Sequence, residues 1–341
     1  MNFLGRIVID SPATILLWLG RQGPRAVAAL IVIGIALPPI GAFFKPFVIE
    51  AVFVLLCIAF LRVDTTAFKK YMRRPAIVLA ATSWTSLAIP ILFGVSYLVF
   101  GLKDHSPDIF LALTLQAIAP PLMAAPALAA LIGLDATLVL CTMLASTALL
   151  PITASLFAYA FIGNMLAISP LVLGLKLLGL HAGSALVGFT LRRMVGSEAV
   201  NRQKKRIDGL NILVMFVFVS TMMENVAARF LATPIITIGL AALAFLVAFV
   251  VLCLTTLLFA FAGRERSLTV GFLASQRNTG LMLAATAVAL PDLSWLYFAF
   301  TYFPLYLLPL LLHPLARRII AREQTRITPN ERRPDEKSTE V

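Results

Sequence analysis

The sequence predicts an all-α, polytopic membrane protein of ten transmembrane helices in two inverted five-helix repeats, with helices 4 and 9 broken. Three observations predict it. The 341 residues are 60% hydrophobic and only 13% charged, and the mean hydropathy is +0.95; about a quarter of the residues of a soluble domain are charged. The apolar residues form long continuous runs, which suit helices that bond their own backbone in lipid; barrel strands would alternate polar and apolar over segments of about ten residues. The basic residues sort to one side of the resulting membrane map.

Before Arg25 the chain is mixed, and its start, MNFLGRIVID, carries no small-residue cleavage site after an apolar core. No removable signal peptide is expected. The apolar run from Pro12 to Leu19 is too short to span and is expected on the membrane surface. Ten apolar segments follow, at 26–44, 46–61, 75–100, 107–132, 135–161, 167–191, 208–228, 233–262, 267–290 and 294–316. The charged tail from Ala321 to Val341 is expected to be disordered. The organisation is therefore a cytoplasmic or interfacial segment (1–25), a first repeat (26–161), a second repeat (162–320) and a cytoplasmic tail (321–341).

With the N-terminus inside, 23 of the 28 Lys and Arg residues fall on the inner side. Lys45, Lys103 and Arg229 fall outside, and Lys176 and Arg277 lie within spans. This split puts both termini in the cytoplasm of a multi-pass protein, with a bacterial plasma (cell inner) membrane as the expected location. It also accounts for the net charge of +12, so the expected macromolecular partner is the lipid bilayer and not nucleic acid.

Five spans per half is an odd number, so related halves would be inverted in the membrane. The ninth segment, Ser267 to Leu290, is almost wholly apolar but holds Gln276, Arg277, Asn278, Thr279 and Gly280 at its centre. A guanidinium at that depth costs about 2.5–3.5 kcal/mol on insertion scales, so it is expected to face a cavity or a partner. The fourth segment carries Pro120, Pro121 and Pro126, each lacking a backbone donor, and the adjacent pair should break the helix. Proline kinks are common in membrane helices. Two interruptions at corresponding positions of the two halves, however, point to a transporter binding site. The candidate substrate-binding residues are Gln276, Arg277, Asn278 and Thr279 from the ninth segment, with Gln116, Pro120, Pro121 and Pro126 from the fourth.

Other polar residues have plainer readings. Glu224 is expected to pair with Arg229 at the surface, and His181 to be satisfied by a neighbouring carbonyl. Asp135 is placed to cap the fifth helix. Trp295, Tyr297, Tyr302 and Tyr306 read as an interface belt plus packing. Cys57, Cys141 and Cys253 lie in apolar runs without metal or disulfide spacing, so packing is their expected role.

Several motifs resemble those of the bile acid:sodium symporter family. Ala119-Pro120, then Leu131-Ile132-Gly133-Leu134-Asp135-Ala136, then Ser146-Thr147-Ala148-Leu149-Leu150-Pro151 are similar to that family's Ala-Pro-Gly-Gly, Leu-Ala-x-Gly-Asp/Asn-x-Ala and Ser-Thr-Leu-x-x-Pro. Arg277-Asn278-Thr279-Gly280-Leu281 is similar to its Gln-Asn-Ser-Gly-Leu. The likeness covers the chain from about Arg25 to Arg318. It implies ten spans in two inverted repeats, with the fourth and ninth helices unwound and crossing. The family's sodium ligands are replaced: its Ser-Asn pair falls on Ala125 and Pro126, its ninth-helix Glu on Leu273 and its Gln on Arg277. A third-helix Gln falls near Thr85 and a fifth-helix Ser near Val139. Sodium needs several oxygen ligands, and a fixed cation nearby repels it. The two sodium sites are therefore not both expected here, and no cofactor or metal is expected.

The resulting expectation is a secondary transporter of a small or amphipathic organic anion, in which Arg277 replaces a bound sodium and attracts the anion through its planar fork. The plainer role for Arg277 is to bond backbone carbonyls freed by the helix break. Two alternatives use the same fold: a non-transporting membrane sensor or receptor and, ranked lower, a metalloid efflux permease, whose fourth-helix Cys is missing here. An enzyme is not expected, because the spans hold no His/carboxylate cluster, Ser-His pair or phosphate loop.

Overall fold

A computed structural model describes residues 12–22, 29, 32–63, 75–286 and 290–327. Among these residues the protein is mostly helical, with no strand and one isolated bridge between Pro121 and Arg277. The main helices are α1 (Pro12–Gln22), α2 (Pro38–Leu61), α3 (Pro75–Val99), α4 (Pro107–Ile118), α5 (Ala125–Ile132), α6 (Ala136–Met165), α7 (Pro170–Val195), α8 (Lys204–Ala232), α9 (Pro234–Leu258), α10 (Arg264–Ser275), α11 (Thr279–Thr286) and α12 (Asp292–Ile327).

Seven of these are long and apolar enough to cross a membrane: α2, α3, α6, α7, α8, α9 and the stretch Asp292–Ile319 of α12. Their outer faces carry large exposed apolar side chains, among them Leu79, Ile152, Leu171, Leu186, Ile235 and Leu257. That much apolar surface suits lipid and not water. The chain is a helical, multi-pass membrane protein.

The expected first segment, 26–44, lies partly outside the described residues. Its end, Pro38–Phe44, continues through a 3-10 turn at Lys45–Phe47 into Val48–Leu61. The fourth and ninth segments are each two half-helices, α4 with α5 and α10 with α11. The tenth runs on to Ile327, past the expected end at 316; the disorder expected of the tail falls, from 328 on, outside the described residues. The α1 helix packs along the start of α8. A Cβ at Gly20 would collide with the Lys205 carbonyl, and one at Gly209 with the Leu16 carbonyl.

The α12 helix is the most buried of the seven. It brings Tyr297, Phe298 and Ala299 against Phe110, Leu111 and Leu115 of α4 and Leu281 to Ala285 of α11 in the main apolar core. This changes the reading of its aromatics. Tyr297 and Tyr302 are buried packing residues and not an interface belt. Tyr297 donates to Gln116 Oε1 at 2.5 Å, and Tyr306 to Met215 Sδ at 3.4 Å. Trp295 lies under the Lys45 ammonium, 5.7 Å from ring centroid to Nζ.

The α2 and α8 helices are antiparallel and joined by ion pairs at both ends. Lys45 meets Glu224 at 3.1 Å, and Arg62 meets Asp208 at 2.5 Å. Arg229, the expected partner of Glu224, pairs instead with Asp292 at 2.9 Å. Asp135 caps α6, accepting from the Thr137 and Leu138 amides. His181 Nδ1 donates to the Leu177 carbonyl one turn back.

Candidate functional site

Two helix breaks meet at the centre of the molecule. Pro120 and Pro121 supply no amide hydrogens, so α4 ends at Ile118 and the helical bonding resumes only in α5. In the other break, the single extended turn Gln276–Asn278 separates α10 from α11. The two extended stretches run antiparallel and bond each other. The Leu122 amide donates to the Gln276 carbonyl at 2.7 Å, and the Asn278 amide to the Pro120 carbonyl at 2.8 Å. Each break thus supplies partners for backbone groups orphaned by the other.

Arg277 locks this crossover from one side. Its side chain is 4% exposed. Its Nη1 donates to the Ala119 carbonyl at 2.8 Å and to the Thr85 carbonyl at 3.1 Å. Ala119 follows the last turn of α4. Thr85 lies in a π-helical turn of α3, Trp84–Ala88, where the Ile89 amide bonds the Trp84 carbonyl. The next amide in line for Thr85 would come from residue 90, a proline, which has none. Two carbonyls left over by two different helix irregularities therefore converge on one guanidinium nitrogen. The C-terminal ends of α4 and α10 also meet here. Each carries a partial negative charge, which offsets part of the guanidinium's charge.

The neighbouring polar residues are mostly committed to structure. Asn278 Oδ1 accepts from the Leu281 amide at 3.1 Å and caps α11; the amide NH₂ is left for another partner. Thr279 Oγ1 meets Thr301 Oγ1 at 2.9 Å. Gly280 is required by close approach: a Cβ there would stand 2.5 Å from Tyr302 Oη and 2.8 Å from Phe218. Gln276 is fully buried, with neither amide atom bonded among the described residues.

A cavity of about 500 Å³ opens beside the crossover. Leu122, Met123, Pro126, Asn278 and Gly280 form its floor, at the N-terminal ends of α5 and α11. Its walls are mainly apolar, including Leu55, Leu56, Leu140, Met143, Met215 and Phe218. Arg62, Asn201, Lys204, Asp208 and Asn211 line its far end. Burial pulls the Arg62 guanidinium below its ordinary value, and the Asp208 carboxylate opposes that. On the other side of the crossover is a second space of about 10 Å³, lined by Tyr97, Gln116, Ser275 and Arg277 among others.

The candidate residues therefore do not form one cluster. Asn278 and Pro126 line the large cavity, and Arg277 and Gln116 the small one; Gln276, Thr279, Pro120 and Pro121 line neither. The reason is the extended backbone of the bridge, in which successive side chains point to opposite faces. Arg277 and Asn278 must look in opposite directions. The cations of the large cavity, Arg62 and Lys204, had shown in the sequence only as orientation charges. Tyr97 was hidden in an apolar run.

Among the described residues no group of three His, Cys, Asp or Glu side chains is placed to hold a metal. Neither a protein-family model nor any of the curated proteins compared with it matches the chain.

Proposed function

We propose that this protein is a secondary transporter of an amphipathic organic anion, with ten spans in two inverted repeats on a scaffold like that of the bile acid:sodium symporters. The single observation that carries the reading is the large cavity. It is apolar along its walls, presents the Asn278 side chain and two half-helix N-termini at its floor, and is basic at its far end. Helix N-termini favour anions. The apolar walls suit a hydrocarbon body, and Arg62 and Lys204 steer a negative charge inward. The Asn278 NH₂ and the start of α11 receive the head group. Arg277 acts as a built-in cation. It holds the crossover by its carbonyls, where a sodium-coupled relative would use an ion, and so transport needs no sodium. Both termini lie in the cytoplasm, and the cavity opens to that side.

The test is uptake by the purified protein in proteoliposomes. Labelled steroid carboxylates and simple aliphatic carboxylates are offered, with potassium as the only metal cation and then with sodium. Accumulation of the amphipathic anions, equal in both salts and reduced at least tenfold in Asn278→Ala and Lys204→Ala, is the expected result. A rise in melting temperature with an anion but no accumulation replaces transport by a sensor. Neither effect with any anion overturns the anion reading itself.

A further inference from the structure

The space behind Arg277 is a second site, separate from the cavity proposed for transport. Arg277 is almost fully buried and uses only Nη1; Nε and Nη2 have no partner among the described residues. No carboxylate among the described residues lies within ion-pair distance of it. The Tyr97 hydroxyl, which lines the same space, is also buried and unbonded. Gln116 has its carbonyl oxygen taken by Tyr297, which leaves its NH₂ to offer. The Ser275 hydroxyl already donates to the Phe272 carbonyl.

At about 10 Å³, the space admits one particle the size of a water molecule. The lining decides which. A water needs acceptors for its own two hydrogens as well as donors. Here the unengaged groups are mainly donors: three guanidinium N–H bonds on Nε and Nη2 and an amide NH₂ can only donate, and the Tyr97 hydroxyl can donate or accept. A monatomic anion needs only donors, and it sits against a full positive charge in an apolar shell of Ile89, Phe93, Val247 and Val251. We infer that a single halide, chloride under physiological conditions, binds between Arg277, Tyr97 and Gln116, and fixes the side of the crossover that faces away from the large cavity.

The test compares the purified protein in potassium bromide and in potassium gluconate at equal ionic strength, together with anomalous diffraction from bromide-exchanged crystals. The expected results are a bromide peak within hydrogen-bond distance of Arg277 Nε and Nη2 and a higher melting temperature in bromide than in gluconate. Tyr97→Phe keeps the ring and removes one donor. It should raise the bromide concentration for half-maximal stabilisation by about tenfold, the factor expected for one hydrogen bond to a charged partner. Ala248→Leu should fill the space and abolish the halide effect. A bromide-free position holding water, or identical melting in the two salts with wild-type protein, overturns the inference. Because the readouts are binding and stability, failure here leaves the transport reading untouched, and the reverse.

Discussion

Arg277 is the residue on which the centre of the molecule depends, and its role is set by what lacks a partner around it. Replacing it with Leu keeps an apolar side chain in place but strands the Thr85 and Ala119 carbonyls in the interior. Each buried unsatisfied group costs about 1–3 kcal/mol. Arg277→Leu should therefore lower stability by about 2–6 kcal/mol and abolish transport, as read by thermal unfolding and vesicle uptake. Arg277→Lys, which can still donate to one or both carbonyls, should be the milder change in the same assays. Gly280→Ala forces a methyl between Tyr302 and Phe218, and overpacking of this kind costs about 1–3 kcal/mol. Thermal unfolding should show a loss in that range, and Tyr302→Phe in the same background should recover part of it, because the hydroxyl is the nearest atom.

At the scale of elements, the breaks in the fourth and ninth segments were legible because each declares itself in residue chemistry. Adjacent prolines cannot continue a helix, and a buried Gln-Arg-Asn run has to bond something. The π-helical turn of α3 was not legible. Its residues, Trp84 to Ala88, are ordinary for a membrane helix, and only Pro90 hints that a carbonyl one turn earlier lacks its amide. That hint yields a prediction. Pro90→Ala restores an amide within reach of Thr85 and offers its carbonyl a partner on its own helix. The helix should gain stability while Arg277 loses one of its two anchors. Uptake should fall severalfold with no drop in melting temperature, and hydrogen exchange at 276–279 should quicken. A parallel fall in both quantities would mean that the π turn matters for packing alone. The ion pairs at the two ends of α2 and α8 are a lesser matter. Partly exposed pairs contribute about 0–1 kcal/mol, so a double-mutant cycle on Lys45 and Glu224 should give a coupling within that range.

At the scale of the whole molecule, the membrane class was plain from composition and from the placement of basic residues, but the direction of individual side chains was not. The likeness of motifs grouped Arg277 with Asn278 because they are neighbours in sequence; the extended bridge separates them because they are neighbours on a strand. A charge map that places both termini inside is checked by cysteine labelling: Ser197→Cys in a background free of native cysteines should react with impermeant maleimide only after the membrane is opened, in right-side-out vesicles. The contact of α1 with α8 has a consequence of another kind. Gly20 and Gly209 bring the two backbones close enough that no side chain fits between them, yet about 190 residues of chain separate them. Synthesis at roughly 5–20 residues per second puts about 10–40 s between the emergence of the first glycine and the second. Throughout that interval the leading helix lacks α8, the helix it packs along. It can close onto α8 only once that helix has emerged, while α9 to α12 are still to be made.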